Sequence, residues 1–423
     1  MTGVAAAAAV QRRVLAGNRD GRLDSHLARH GRLPALDAGE VIDLARDAGL
    51  TGRGGAGFPM WRKLAAVAEA GRPAVVIANA AEGEPASGKD KALLSYQPNL
   101  ILDGLQLAAR ATGARAAHLY GPAASFAALR CLLAGRRDAV PVRLHAAPDA
   151  FVSGEESAVV AAVSGRGAVP ADKLIRITRA GVGGAPTLVQ NVETLAHLAL
   201  IARHGVGWFR AAGSPDEPGT FLATVSGAVA APGVVEAGYG VPLGELLAAA
   251  GGPAGELAAI LVGGYHGGWV PADPALPVSR AGLAPFGASP GAGVVVALPV
   301  GSCGLAETAR IAGYLAGESA GQCGPCVNGL PRLAETLADL TGAPDLRGVP
   351  EPAGLPGMAR VAARRSRPEL VAEVERLAGL VAGRGACRHP DGTVRLVRSA
   401  LRTFEAEVAA HLAGHCLATE ARR

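Results

Sequence analysis

The stretch TGRGGAGFPMWRKLAAVAEAGRPAVVIANAAEGEP, residues 51–85, carries the pattern that decides the fold. TGRGGAGFP reads as a glycine-rich loop, MWRKLAAVAEAG as a helical run, and PAVVIANAAEGEP as a buried strand running into a polar loop. Before it, residues 37–50 read as a helix ending near Gly49. After it come NLILDGLQLAARATGA (helix), RAAHLY (strand), SFAALRCLLAG (helix) and VPVRLHAAP (strand). Short apolar strands alternating with helices predict a mostly parallel sheet covered by helices.

Further along, FVSGEESAVVAAVSG is a loop entering a helix at about Glu155. GGAPTLVQNVETLAHLALIARHG is a turn and then a helix, with Asn191 as its N-cap. From Gly219 the strands become short and are broken by Gly and Pro, which suggests a small α+β module. GAGVVVALP adds one more buried strand. The last third reads as helices, and in the final one Leu401, Phe404, Val408 and Leu412 recur at helical spacing. A Pro/Gly-rich linker, residues 341–357, divides that helical part.

The chain has 423 residues and is 49% hydrophobic, enough to bury the cores of several domains. The net charge of +5 comes from dispersed basic residues, and aromatics are only 4%, so neither a basic stripe nor a base-stacking platform supports nucleic-acid binding. No apolar run reaches the length of a spanning helix. VAAAAAV near the start lacks the basic region of a signal peptide and reads as a tail, so a cytoplasmic protein is expected, or one attached to a membrane only through partners. FVSGEES has no G-x-S-x-G around its serine and no triad can be assigned, and His197, His204 and His266 read as structural or surface residues.

Gly52, Gly54 and Gly57 fit G-x-G-x-x-G, but the standard dinucleotide fingerprint fails. A helix precedes the loop where a strand is required, and the window twenty residues on, RPAVVIANA, holds no acid. The loop can still do related work. Without side chains in the way, the N–H groups of Gly54, Gly55 and Ala56 can approach an anion, with Arg53 and Lys63 adding charge. The alternative is a flexible turn between helices. Asn79, Glu82 and Glu84 follow a buried strand, where open α/β sheets bind ligands, and Glu155 and Glu156 follow Gly154 in a second such turn. Asparagine, backbone N–H and carboxylate groups in these loops suit the hydroxyls and ring edge of a flavin.

Six cysteines occur, at 131, 303, 323, 326, 387 and 416, a usage that points to metal rather than disulfides in a reducing compartment. Cys323 and Cys326 form C-x2-C, and a cysteine in place of Ala320 would complete C-x2-C-x2-C. Leu305 to Glu318 reads as one helix of about 20 Å, which sets Cys303 at its far end. Spacing alone does not place Cys416.

Together these stretches resemble the NADH-binding 51 kDa flavoprotein subunit of respiratory complex I and the related diaphorase subunits. The matches are GLTGRGGAGFP (49–59), NAAEGEP (79–85) with Lys89–Asp90, GEES (154–157), GGAPTLVQNVETLAH (183–197), GTFLATVSGAVAAPGVVE (219–236), ESAGQCGPC (318–326) and CRHPDGTVRLVRSALRTFEAEVAAH (387–411). They stand in family order over nearly the whole chain beyond residue 40. The resemblance implies an N-terminal extension (1–36), a Rossmann-like α/β FMN domain (37–215), a ubiquitin-like β-grasp module of the soluble-ligand-binding type (216–290) and a helical iron–sulfur domain (291–423).

By the same resemblance Gly52, Arg53, Gly54, Gly55, Ala56 and Gly57 line the FMN phosphate, and Lys63, Asn79, Glu82 and Asn191 touch FMN. Glu84 and Glu156 lie on the nicotinamide side, and Gly154 and Glu155 shape the flavin loop. Cys323, Cys326 and Cys387 ligate the iron–sulfur cluster.

Three departures stand out. Ala81 replaces a family aspartate, and the interval after the Glu–Glu motif reads AVPADKLIRITRAG, where Lys173, Arg176 and Arg179 offer charge but no ring offers stacking. Ala320 replaces the first cluster cysteine. That leaves a [4Fe–4S] cluster with Ser319, Glu318, His389 or water at the fourth corner, a three-iron cluster, a lost cluster, or zinc. The expected activity is electron transfer from NAD(P)H through FMN and the cluster to a ferredoxin-like or 2Fe–2S subunit or a quinone-reducing complex. The alternative is an electron-transfer or scaffold subunit, non-catalytic or differently fuelled, that has lost efficient NADH binding.

Overall fold

The computed structural model describes residues 13–17, 20–172, 174–342 and 367–420. Most of the expected N-terminal tail, Lys173 and nearly all of the 341–357 linker lie outside the described residues.

The first part of the chain runs α1 (Leu23–His30), α2 (Ala38–Asp47), α3 (Met60–Ala68), β1 (Ala74–Asn79), α4 (Lys89–Tyr96), α5 (Pro98–Thr112) and β2 (Ala114–Gly121). It continues with α6 (Phe126–Gly135), β3 (Val142–Ala146), α7 (Glu156–Val163), β4 (Thr187–Asn191) and α8 (Val192–Arg210). The four strands form one parallel sheet in the order β3-β2-β1-β4. The alternation of β1 explains its two-sided cover. Val76, Ala78 and Ala80 join the core shared with α2, α3, α5 and α8, whereas Val75 and Ile77 pack with Val159 and Val160 of α7. Gly104 lets α5 and α8 touch: a Cβ there would stand 1.9 Å from the Leu195 carbonyl oxygen.

One element differs from expectation. PTLVQN is not a turn before the helix: Thr187–Asn191 is the edge strand β4, and its Asn191 both ends the strand and caps α8 by accepting from the Glu193 N–H at 3.0 Å. Five residues were too short a run to separate from the long helical pattern that follows.

The chain then builds a second sheet from β5 (Thr220–Gly227), β6 (Gly233–Gly238), α9 (Leu243–Ala248), β7 (Leu257–Val262), β8 (Gly268–Pro271), α10 (Arg280–Leu283) and β9 (Val294–Pro299). Its order is β6-β5-β9-β7-β8, with only β5 and β9 parallel. The expected division at residue 290 therefore falls just before the central strand of this sheet.

The remaining described elements are helices: α11 (Gly304–Gly317), α12 (Leu330–Thr341), α13 (Arg367–Val381), α14 (His389–Thr403), α15 (Glu405–Ala413) and α16 (Leu417–Glu420). Helices α12, α13 and α14 share a core of Leu330, Leu333, Leu337, Val374, Leu377 and Val397, joined by Ala309, Ala312 and Ala316 of α11. The last predicted helix is broken at Phe404 (φ −107°, ψ 36°), so α14 and α15 diverge and Leu412 lies exposed while Phe404 is buried.

Candidate functional site

Parallel pairing sets the site. Asn79 of β1 lies in register with Asn191 of β4 at the carboxyl ends of both strands. Asn79 Nδ2 donates to the Gly154 carbonyl at 2.9 Å, and its Oδ1 accepts from the Ala81 N–H at 3.1 Å. That pair of bonds ties the loop after β1 to the turn before α7. Gly83 and Gly154 allow the approach: Cβ atoms there would lie 2.5 Å from the Phe151 oxygen and 2.9 Å from the Ala81 oxygen.

The glycine loop closes over the same end. Thr51 and Pro59 form a bridge, and Gly52 N–H donates to the Phe58 carbonyl at 2.9 Å. Gly55 and Gly57 take positive φ, and Gly54 packs on Asn191, 3.3 Å separating its would-be Cβ from the asparagine Cβ. Among the described residues, no hydrogen bond uses the N–H groups of Gly54, Gly55 or Ala56. Consecutive free donors on such a turn make a concavity suited to an anion, which is the fit a phosphate requires.

Arg53 does something else. Its side chain turns away, donates from Nε to the Thr220 carbonyl at 3.1 Å, stacks over Tyr239, and is 3% exposed. It braces the loop from behind, so the expected added charge at the phosphate is absent from its guanidinium. Glu82 is likewise committed to α4: Oε1 accepts from the Asp90 N–H at 3.0 Å and from Ser87 Oγ at 2.6 Å, and Oε2 from the Lys91 N–H at 3.1 Å. Glu155 caps α7 through the N–H groups of Ser157 and Ala158. Lys63 Nζ lies 2.6 Å from Glu156 Oε1 at the partly open rim.

Glu84 projects to the second sheet, where Oε2 accepts from the Tyr265 N–H at 2.8 Å. Burial pushes its carboxyl up to about 7, against the two backbone hydrogen bonds that lower it. Behind Asn191 sits a charged cluster that sequence pattern does not assign. Lys89 Nζ lies 2.7 Å from Asp90 Oδ1 and 2.9 Å from Glu193 Oε2, all three side chains being buried, and Asn191 Nδ2 donates to Asp90 Oδ2 at 2.7 Å. Burial opposes the Lys89 ammonium, but the two carboxylates outweigh it and raise its pKa. Adjacent Lys89–Asp90 at the first turn of α4 was the only signal.

Cys323, Cys326 and Cys387 line one pocket together with Ser319, Ala320 and His389. A π-helical turn, Pro325–Gly329, carries Cys326. Burial, and then the neighbouring Cys387 and Cys323, push the Cys326 thiol up to about 12. Three converging sulfur donors fit a soft metal centre. Two of the substitutes for the missing cysteine are otherwise engaged. Glu318 Oε2 accepts from the Phe151 N–H at 2.8 Å. His389 has Nε2 2.7 Å from the Leu315 carbonyl and Nδ1 3.1 Å from His266 Nε2. Ser319 lines the pocket with Cys326, its Oγ accepting from the Gly321 N–H at 3.1 Å, and its hydroxyl can turn toward the sulfur donors. Cys303 caps the start of α11, at the far end from this pocket as the helix reading required. The Phe151 ring, on the turn that meets the Gly83 loop, reaches the ring of His389 at 5.5 Å and links the two sites.

Residues 45–200 match the family described as the Nuo51 FMN-binding domain. Residues 306–345 and 352–411 match the NADH-ubiquinone oxidoreductase-F iron-sulfur binding region. A Rossmann-like FMN domain joined to a helical iron–sulfur region defines a flavoprotein oxidoreductase of the NADH dehydrogenase type. The chain is 30% identical over 394 residues to the second F subunit of NADH-quinone oxidoreductase in Rhizobium meliloti, covering 88% of this chain and 89% of that protein. It is 28% identical over 400 residues to the F subunit of the same oxidoreductase in Streptomyces coelicolor, covering 90% and 84%. A chain of an NAD+-reducing [NiFe]-hydrogenase in the H2-reduced state superposes with a TM-score of 0.77 at 32% identity, over 90% of this chain and 64% of that one. The chain belongs to the family of the FMN-binding F subunits of NADH-quinone oxidoreductase.

Proposed function

We propose that this chain takes electrons from NAD(P)H and delivers them, through FMN and an iron–sulfur cluster, to a partner protein such as a ferredoxin-like or 2Fe–2S subunit. The observation that carries the reading is the convergence, at the carboxyl ends of β1 and β4, of the glycine loop, Asn79, Asn191 and the Gly83–Gly154 turns. Bound flavin supplies hydride acceptance and release of single electrons; the chain's residues bind, orient and exclude water.

Gly54, Gly55 and Ala56 offer N–H groups to the phosphate, with Gly52 and Gly57 permitting the turn. Asn79 and Asn191 fix the two loop edges, and the Lys89–Asp90–Glu193 cluster holds Asn191 in its rotamer. Lys63 and Glu156 form a rim pair beside the ring, and Glu84, on the loop after β1 and held by the Tyr265 N–H, orients the nicotinamide amide. Glu82, Gly154 and Glu155 act indirectly, by shaping the two loops.

Cys323, Cys326 and Cys387 hold the cluster, with Ser319 or water at the Ala320 corner. The five-stranded mixed sheet serves as the β-grasp module, and the protein works in the cytoplasm. No described helix is long and apolar enough to cross a membrane.

The test is anaerobic purification with flavin, iron and sulfide quantified on one sample, and electron paramagnetic resonance to separate three-iron from four-iron clusters. A yellow protein containing iron and sulfide supports the reading. A colourless chain that releases no flavin on denaturation refutes it.

A further inference from the structure

The C-terminal end of the chain assembles a second set of metal-type donors, remote from the cysteine pocket. Cys303 is the N-cap of α11, and its Sγ accepts from the Ala306 N–H at 3.4 Å. From there α11 runs 14 residues, about 21 Å at the helical rise, before the chain reaches Ser319. At the Cys303 end, α15 presents Glu407 and His411, four residues apart and so on one helix face. Glu407 Oε2 lies 3.1 Å and His411 Nε2 3.2 Å from Cys303 Sγ.

A glycine completes the set. Gly414 ends α15 in the left-handed region (φ +98°), where its own N–H returns to the His411 carbonyl and that of His415 to the Ala410 carbonyl, each at 3.1 Å. The chain turns back and brings Cys416 to the cluster. Ligand atoms of Cys303, His411 and Cys416 then all lie within 4.8 Å of one another. His411 and Glu407 are buried, and the two cysteines are half-buried.

We propose that Cys303, His411 and Cys416, with Glu407 as fourth ligand, bind one zinc ion. Two thiolates, an imidazole and a carboxylate are a donor set that four-coordinate zinc accepts, with no position left open. With Zn–S of about 2.3 Å and Zn–N of about 2.0 Å, tetrahedral ligand atoms stand roughly 3.3–3.8 Å apart. The Cys303–His411 spacing of 3.2 Å already meets this, the three-residue set within 4.8 Å draws in by up to about 1 Å, and Glu407, which contacts Cys303 but lies outside that set, swings in to close the fourth position. The ion ties the start of α11 to α15 and to the chain end beyond Gly414, fixing the C-terminal segment that no strand or long helix anchors. The proposal stands apart from the redox reading, because α11 separates the two donor sets.

The experiment counts zinc and iron in the full chain after anaerobic purification and chelator-free desalting. Wild-type protein is expected to hold about one zinc ion per chain. Cys416→Ser and His411→Ala each lower zinc about tenfold or more, with iron per chain unchanged. Cys323→Ser gives the reverse pattern, less iron and unchanged zinc. Because a variant can misfold, wild-type protein is also stripped of zinc and reloaded with Co(II), where intense thiolate–cobalt absorption and a restored thermal transition are expected. Three results would overturn the proposal: no retained zinc in wild-type protein after dialysis against it, unchanged zinc in Cys416→Ser, or a Cys303–Cys416 disulfide in the anaerobically handled chain.

Discussion

Lys89→Met tests the architecture behind the flavin loop. In the folded chain the Lys89 ammonium sits 2.7 Å from Asp90 Oδ1 and 2.9 Å from Glu193 Oε2, with side-chain exposures of 3%, 5% and 1%. At an effective dielectric of about 20, each such pair is worth roughly 5–6 kcal/mol of gross attraction. Desolvation of all three groups offsets most of it, so the net value of the intact cluster is small. Removing only the cation is a different matter, because two carboxylates stay buried. That loss costs about 3–5 kcal/mol, and at roughly 2–4 °C per kcal/mol the α/β domain should melt about 6–20 °C lower. The assay is calorimetry on wild type, Lys89→Met, and Lys89→Met combined with Glu193→Gln and Asp90→Asn. The triple variant should recover more than half of the loss. In Lys89→Met the stranded carboxylates take up protons on folding, so its deficit should shrink between about pH 8 and about pH 5. A loss below about 1 kcal/mol, or a deficit independent of pH, would refute the reasoning.

Further perturbations probe other joints. Glu84, raised by burial to about 7, binds its proton more tightly folded than unfolded. It therefore costs stability as pH rises from about 4.5 through about 7, and Glu84→Gln should flatten that slope in melting curves taken across the window. Gly104→Ala drives a methyl group onto the Leu195 carbonyl, only 1.9 Å away, and should destabilise the α5–α8 packing by about 1–3 kcal/mol in chemical denaturation. Ala320→Cys places a fourth thiol in the cysteine pocket, so iron and sulfide per chain should rise and any three-iron resonance signal should fall. Lys63→Met removes the partner of Glu156 at the rim and should weaken flavin retention on gel filtration more than it lowers the melting temperature.

The alternating strands and helices around residues 51–146 were legible because β1 alternates between two apolar faces and its helices end in glycine or proline. So was the N-cap at Asn191. The strand preceding that cap was not, since its five residues run straight into a 19-residue helix. Chain order also hid that β9 belongs at the centre of the second sheet, a long-range pairing with β5 and β7.

At the site, glycine spacing revealed a loop able to meet an anion, and C-x2-C marked the cysteine pocket, to which only the family resemblance added Cys387. Side-chain direction was beyond reach. Nothing in GRGGAG says that Arg53 folds back onto Tyr239, or in NAAEGEP that Glu82 caps α4 while Glu84 crosses to Tyr265. Cys416 stayed unplaced because its position depends on the reversal at Gly414.

The central claim is tested most directly by anaerobic titration of the purified chain with NADH, following the visible absorbance of the bound flavin and the resonance signal of the cluster together. The account predicts that NADH bleaches the flavin and that added acceptor restores its colour. A flavin that dithionite bleaches but NADH leaves unchanged would contradict it.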